Sequence, residues 1–408
     1  MRILYTLGIR LYALGIALAS ISNKKAAQWI AGRKNWRAKL RNAGNLEGCI
    51  WFHCASLGEF EQGRPLLEKL KLQYPQKPIL LTFFSPSGYT IRKDYPLADY
   101  ICYLPIDTTG NARAFLQITK PDLVIFVKYE VWHNFFTEIA KRKTPLLLIS
   151  AIFRKDQVYF KPYGKWFRKA LNLIHKIYTQ NSESIELLKQ IGINHAALTG
   201  DTRFDRVIEI AENSRDIPEL KAFTENHTTI VAGSTWPADE ALLAKYAAAN
   251  PDVRWVIAPH EIHEAHIKAI IDKFPNSAKW SNKEKLDSQN VIIIDSIGLL
   301  SSLYKYGDIA FIGGGFGSGI HNTLEPAVYG IPVLFGPAFG KFKEARDLCS
   351  IDAARSVNNY DDLKKILNVL VTETETRKKM GANAGSYVLE NAGATNKILD
   401  DIRNLLKT

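Results

Sequence analysis

Two carboxylates and a run of glycines are the residues of this chain best placed to do chemistry. In WFHCASLGEFEQGRPLLEKL, residues 51 to 70, Glu59 follows an apolar strand pattern and precedes a helical one that Pro65 would help to start. A carboxylate at the carboxyl end of a strand, partly shielded from water, can take a proton from an attacking hydroxyl, because burial raises its pKa toward neutrality. The same residue suits the positive end of a helix as a cap, so both roles stand open. VKYEVWHN, residues 127 to 134, repeats the arrangement: a strand delivers Lys128 and Glu130 at its end, with Trp132 and Asn134 following. IGGGFGSGIHNTLEPAVYGIPVLFGP, residues 312 to 337, reads as strand, glycine loop, helix and strand. Its glycines let the backbone approach a ligand closely, the helix behind them would present free N–H groups to a phosphate, and Glu325 suits sugar hydroxyls. Together these preferences fit a nucleotide, with a purely structural loop as the other reading.

The other candidate cluster, APHEIHEAH, spaces His260, His263 and His266 three apart. On a helix, positions three apart drift by about 60° per step, so the three do not face one metal. No metal and no cofactor is expected, and His260, which ends a strand, is read as a site residue. Cys49, Cys54, Cys102 and Cys349 form no CxxC pair, which argues against a disulfide framework or a zinc site and fits a reducing compartment.

The elements that must position these residues alternate from about residue 48 onward. CIWFHCAS, PILLTFF, YICYLPI, LVIFV, PLLLISAI and KIYTQ read as strands of a first half; HTTIVAGS, VRWVIAPH, NVIIIDS, DIAFIGG and IPVLFG read as strands of a second. Strands alternating with helical stretches predict α/β architecture with parallel sheets. Between the halves, GDTRFDRVIEIAENSRDIPELKAFTEN is polar and weakly periodic in its middle, which puts the boundary near residues 205 to 225. We therefore expect an N-terminal segment over 1–46, a first domain over 47–210 and a second over 211–408, doubly wound and facing one another across a cleft that collects the strand ends.

The net charge is +12 over 408 residues, and most of it sits at the start. No acidic residue precedes Glu47, whereas Arg2, Arg10, Lys24, Lys25, Arg33, Lys34, Arg37, Lys39 and Arg41 are basic. They accompany MRILYTLGIRLYALGIALASIS, an apolar opening of the length that a membrane anchor or interfacial helix needs. A basic segment behind it suits anionic head groups on the cytoplasmic side of a membrane. A cleaved signal and an ordinary amphipathic core helix are the alternatives, and reduced cysteines speak against export. No aromatic-interleaved basic strand or zinc pattern supports nucleic acid as partner.

With these residues in view, the sequence resembles the 3-deoxy-D-manno-octulosonic acid (Kdo) transferases of lipopolysaccharide assembly. Six segments match in order: WFHCASLGE, FFSPSG, VKYEVWHN, GDTRFD, AGSTWPADE and, most specifically, GGGFGSGIHNTLEPAVYGIPVLFGP. The resemblance implies two Rossmann-like domains of the GT-B glycosyltransferase type, with an N-terminal membrane-anchoring helix at the cytoplasmic face of the inner membrane. It implies an inverting transfer of Kdo from CMP-Kdo to a lipid A precursor. By motif position Glu59 is then the general base, and Glu130 and Arg203 stabilise the transition state. CMP is met by Pro259, His260, Ile297, Gly298, Leu299, Asn322, Thr323, Leu324 and Glu325. The chain departs from the family pattern at PHEIHEA, which lacks an expected arginine, at IGL, which lacks an expected Glu, and at Arg203, where the family has Lys. A GT-B enzyme using a UDP-sugar and a non-catalytic, membrane-bound nucleotide or polyanion binder remain as rival readings.

Overall fold

The computed structural model describes residues 1–128 and 130–406, apart from the side chains of Glu284, Lys285 and Asp287. Contacts divide it into two units, Met1–Arg206 with Ala392–Thr408, and Val207–Asn391.

The first unit holds a seven-stranded parallel sheet of β1 (Ile50–Cys54), β2 (Ile79–Phe83), β3 (Tyr100–Tyr103), β4 (Leu123–Val127), β5 (Leu146–Ala151), β6 (Lys176–Thr179) and β7 (Ala196–Leu198). Their order is β3-β2-β1-β4-β5-β6-β7. The central strands IWFHC and LVIFV are buried at every position, as strands covered on both faces must be. Trp51, Val124, Phe126 and Leu148 pack on one face of the sheet, and Ile50, Phe52, Ile125, Val127 and Leu147 on the other. Order reverses between β1 and β4, where the chain leaves the two strands in opposite directions and opens a crevice at their carboxyl ends.

The second unit repeats the plan with β8 (Thr229–Thr235), β9 (Arg254–Pro259), β10 (Ser277–Lys279), β11 (Val291–Ile293), β12 (Ile309–Ile312), β13 (Val333–Phe335) and β14 (Ala354–Ser356). The order β10-β11-β9-β8-β12-β13-β14 puts its switch point between β8 and β12. There the register sets Ile312 beside Gly233.

All eleven expected strands are present. The three not anticipated, β7, β10 and β14, have three residues each and lie at or next to the sheet edges. Segments so short carry no alternation to read. Two other expectations need correction. The helix after β1 starts at Leu57, eight residues ahead of Pro65, which lies inside it. The polar stretch after residue 200 forms helix Thr202–Glu212, and the division between units falls within it, at 206/207, inside the expected boundary region of 205 to 225. The C-terminal segment also departs from the expected 211–408 domain. Helix Ala394–Leu405 buries Ile398, Leu399 and Ile402 in the core of the first unit, beside Ile50, Phe52 and Leu66. Asp205 fastens its start by accepting the Gly393 and Thr395 N–H groups at 2.6 and 2.7 Å.

Candidate active site

At the switch point of the first sheet, the carboxyl end of β1 leads through Ser56 into the helix that carries Glu59. The Glu59 carboxylate folds back to accept the Ala55 N–H and is held by the Ser56 N–H as well, so it does cap this junction. It is also 6% exposed. Burial raises its pKa, against the opposing pull of those N–H groups and of Lys128.

Beyond β4, Lys128 takes a left-handed backbone, φ 64°, an unusual cost for a residue with a Cβ. The turn brings its ammonium into the field of Arg203, Glu59, Asp201 and Arg154, and burial followed by the Arg203 charge lowers its pKa. Glu130 follows. Burial, then the charge of Glu59, pushes its carboxyl up to about 7, partly offset by the neighbouring Trp132 side chain. Burial thus raises both carboxyls, with backbone N–H groups and Lys128 opposing the rise at Glu59. Arg203 is oriented by the buried Asp201, which accepts its Nε at 2.8 Å and its backbone N–H at 2.9 Å. The three residues expected to be catalytic therefore share one switch point within the first unit, joined by Lys128 and by Asp201, which the sequence did not single out.

Asn134, by contrast, serves structure. It is fully buried, its N–H and Nδ2 donate to Asp107 at 3.0 and 2.8 Å, and its Oδ1 accepts Arg2 Nε at 2.9 Å.

In the second unit the glycine loop leaves β12 at the β8–β12 switch point. Gly313 N–H donates to the Gly233 carbonyl at 2.9 Å, and Gly314, with φ 89°, donates its own to Asp239 at 2.9 Å. Asp239, fully buried, also accepts the Trp236 N–H at 2.9 Å and so closes the start of helix Pro237–Ala249 against the loop. At Gly315 a Cβ would come 2.5 Å from the Gly336 nitrogen, so side chains are shut out there. Trp236 through Asp239, with Gly314, Phe316, Gly317 and Ser318, line a cavity of about 350 Å³, within the range of small-ligand sites. His260 stacks between Trp236 and His321, with ring centroids 4.7 and 4.5 Å away. Burial, then the nearby His260, lowers the pKa of His321, and its Nε2 accepts the Trp236 indole N–H at 3.2 Å.

The residues expected to meet CMP fall into two groups within this unit. Pro259, His260, Ile297 and Gly298 line a second cavity, of about 210 Å³, together with Ser234. Leu299 does not line it; it precedes the short helix Leu300–Leu303. Asn322, Thr323, Leu324 and Glu325 form the turn after the glycine loop, where Asn322 Nδ2 donates to Glu325 at 3.0 Å. Asn322 Oδ1 accepts the Leu324 N–H, and the Leu324 side chain is core. The helix expected here is a single turn, Leu324–Ala327. The chain then tightens through i to i+3 bonds into Gly330, φ 68°, with Pro332 close behind. Such a turn has little macrodipole to offer a phosphate. His263 and His266 leave the site: the first caps helix Glu264–Lys273 and the second pairs with buried Glu240 at 2.9 Å.

Comparison with known proteins bears on this geometry. A family model described as 3-deoxy-D-manno-octulosonic-acid transferase (kdotransferase) matches residues 32–206, all within the first unit. The 3-deoxy-D-manno-octulosonic acid transferase of Rickettsia felis is 28% identical over 375 residues, 88% of this chain and 79% of its own. That of Aquifex aeolicus is 29% identical over 357 residues, 84% of this chain and 93% of its own. Over most of its length the chain is thus similar to Kdo transferases. Likeness in fold reaches further than the Kdo transferases. The UDP-GlcNAc 2-epimerase of Neisseria meningitidis superposes with a TM-score of 0.57 at 16% identity, over 84% of this chain and 98% of its own. That of Methanocaldococcus jannaschii gives 0.53 at 14%, over 83% and 98%. Both Rossmann-like units are of the GT-B kind, as the sequence implies.

Proposed function

We propose that this protein is an inverting glycosyltransferase that moves Kdo from CMP-Kdo to the sugar of a lipid A precursor, working at the cytoplasmic face of the inner membrane. The observation that carries the reading is the convergence of buried Glu59 with half-buried Glu130, Lys128 and Arg203 at one switch point in a chain similar to Kdo transferases. In the step proposed, an acceptor hydroxyl attacks the anomeric carbon of Kdo as its proton passes to Glu59. The new C–O bond forms while the bond from that carbon to the phosphate oxygen breaks, and CMP leaves with the electron pair. One displacement inverts the centre. Positive charge gathers on the sugar ring in the transition state, where the Glu130 anion stabilises it, and Arg203 and Lys128 stabilise the departing phosphate. The second unit holds CMP. The glycine-loop backbone approaches the phosphate, Glu325 and Asn322 take the ribose, and Pro259, His260, Ile297, Gly298 and Leu299, with Thr323 and Leu324 behind, frame the rest.

The reading is tested by incubating the purified protein with CMP-Kdo and a tetra-acylated lipid A precursor. Mass spectrometry should find the acceptor heavier by one or more Kdo residues, with CMP released. Transfer from UDP-sugars in place of CMP-Kdo would reject the donor, and no transfer to any acceptor would reject the enzyme.

A pH dependence follows from the same geometry. Glu130 with a pKa of about 7 is the ionised, stabilising form only above neutrality, so transfer should rise as pH passes through 7. Glu130→Gln should be slower and lose that rise. The sign for stability is opposite: with a native pKa above the unfolded value of about 4.3, the Glu130 contribution is full below that value and declines as pH climbs toward 7. A pH–rate profile with an unchanged rise in the Gln variant would assign the titration elsewhere.

A further inference from the structure

The N-terminal helix Arg2–Ala19 is long and apolar enough to cross a membrane, yet its first turns are built into the first unit. Tyr5 donates to Asp107 at 2.7 Å, Arg2 Nε to Asn134 at 2.9 Å, and Thr6 accepts Asn134 Nδ2 at 3.3 Å. The Tyr5 ring packs against His133 and Trp166, with centroids 5.8 and 5.4 Å away. Two turns later Tyr12 stacks on Phe84 at 6.3 Å. These contacts are specific and half-buried. A spanning helix would carry residues 2 to 6 to the far side of about 30 Å of hydrocarbon. It would break every one of them and leave buried Asp107 and Asn134 short of partners.

The opposite side of the helix is bare. Ile3, Leu4, Leu7, Leu11, Leu14 and Leu18 share one helix face, all more than half exposed. Arg10 lies among them, and Lys24, Lys25, Lys34, Arg37, Lys39 and Arg41 follow on the surface with no acidic residue before Glu47. Beside the helix runs a groove of about 470 Å³ lined by Arg2, Ile3, Thr6, Leu7, Arg10 and Thr109. Apolar stripe, the Arg10 guanidinium and a cationic flank match one partner, a leaflet rich in anionic phospholipid, with acyl chains against the leucines and phosphates against the cations.

We infer that the N-terminal helix lies in the plane of the leaflet as a one-sided anchor, fixed to the first unit through Arg2, Tyr5 and Thr6, and does not cross the membrane. This rests on the membrane reading of the proposed function and adds its geometry. The helix touches the segments that follow β2, β3 and β4, the end of the sheet that bears Glu59 and Glu130. Phe84, beneath Tyr12, stacks in turn on Trp132 at 5.0 Å, two residues past Glu130. The leaflet surface is thus laid beside the carboxylates, and an acceptor sugar need only rise from its own lipid to reach the base.

Two measurements on the full chain test this separately. In flotation with vesicles of phosphatidylcholine and phosphatidylglycerol, the protein should float with the lipid, and the Leu7→Ser, Leu11→Ser, Leu14→Ser variant should bind at least tenfold more weakly. Failure of the intact protein to float would overturn the membrane reading and the anchor with it. A short epitope tag placed before Met1 should then be removed by protease added to sealed inside-out inner-membrane vesicles without detergent. The tag lies on the same side as the two units if the helix is in-plane. A tag on membrane-bound protein that survives until detergent is added would show a spanning helix, overturning the in-plane anchor while leaving the membrane reading intact.

Discussion

Replacing Glu59 by Gln should lower the turnover of Kdo transfer by about two to four powers of ten while leaving CMP affinity near that of the unaltered protein. The substitution keeps shape, and its side-chain oxygen can still accept the Ala55 N–H, so the start of helix Leu57–Gln73 should hold. What it removes is the site for the proton. Burial raises the pKa of that carboxylate, against the pull of two N–H groups and Lys128. CMP is assigned to the second unit, so a base in the first should affect rate and leave nucleotide affinity alone. Single-turnover kinetics with CMP-Kdo, paired with calorimetry of CMP, separates the two quantities. Full turnover in the variant would reduce Glu59 to the capping role that its contacts also show. Circular dichroism and thermal unfolding of the same preparation would reveal any loss of fold.

The second large effect is expected at Asp239, which no motif reading singled out. Its carboxylate accepts the Gly314 and Trp236 N–H groups inside the second unit, where neither reaches another acceptor as good. Asp239→Ala leaves two buried donors unpaired at about 1 to 3 kcal/mol each, so the second unit should unfold several degrees lower. The glycine loop would also lose the tie that holds it against helix Pro237–Ala249, and CMP should bind at least about tenfold more weakly, or about 1.4 kcal/mol. Asp239→Asn keeps one acceptor oxygen and should recover much of both losses. The decisive comparison is calorimetry of CMP against the Asn and Ala variants. If Ala binds CMP like the unaltered protein, the loop is held by its own turns alone.

The sequence by itself determined the class of fold and the number of sheets, and made the candidate groups visible. Buried parallel strands must be apolar on both faces, so IWFHC and LVIFV announce themselves, and each must end in the polar residues that return the chain to water. Hence Glu59, Lys128, Glu130 and the glycine loop all stand out locally. Tertiary structure alone decided which of these groups meet. Strand order places the ends of β1 and β4 side by side, though more than seventy residues separate Glu59 from Glu130, and no local period records that adjacency. Asp201 and Asp239 lie in the segments GDTRFD and AGSTWPADE, but what each does comes from the N–H and guanidinium groups that folding turns toward it. The C-terminal helix has the same amphipathic pattern whichever unit it covers, and only the apolar surface left open beside Ile50 and Phe52 chose the first. The N-terminal helix shows the limit most plainly. Its composition suits a span, an interfacial anchor or a core helix alike, and it was the match of Tyr5 to Asp107 and of Arg2 to Asn134, residues a hundred or more positions away, that gave it one side for protein and left the other bare.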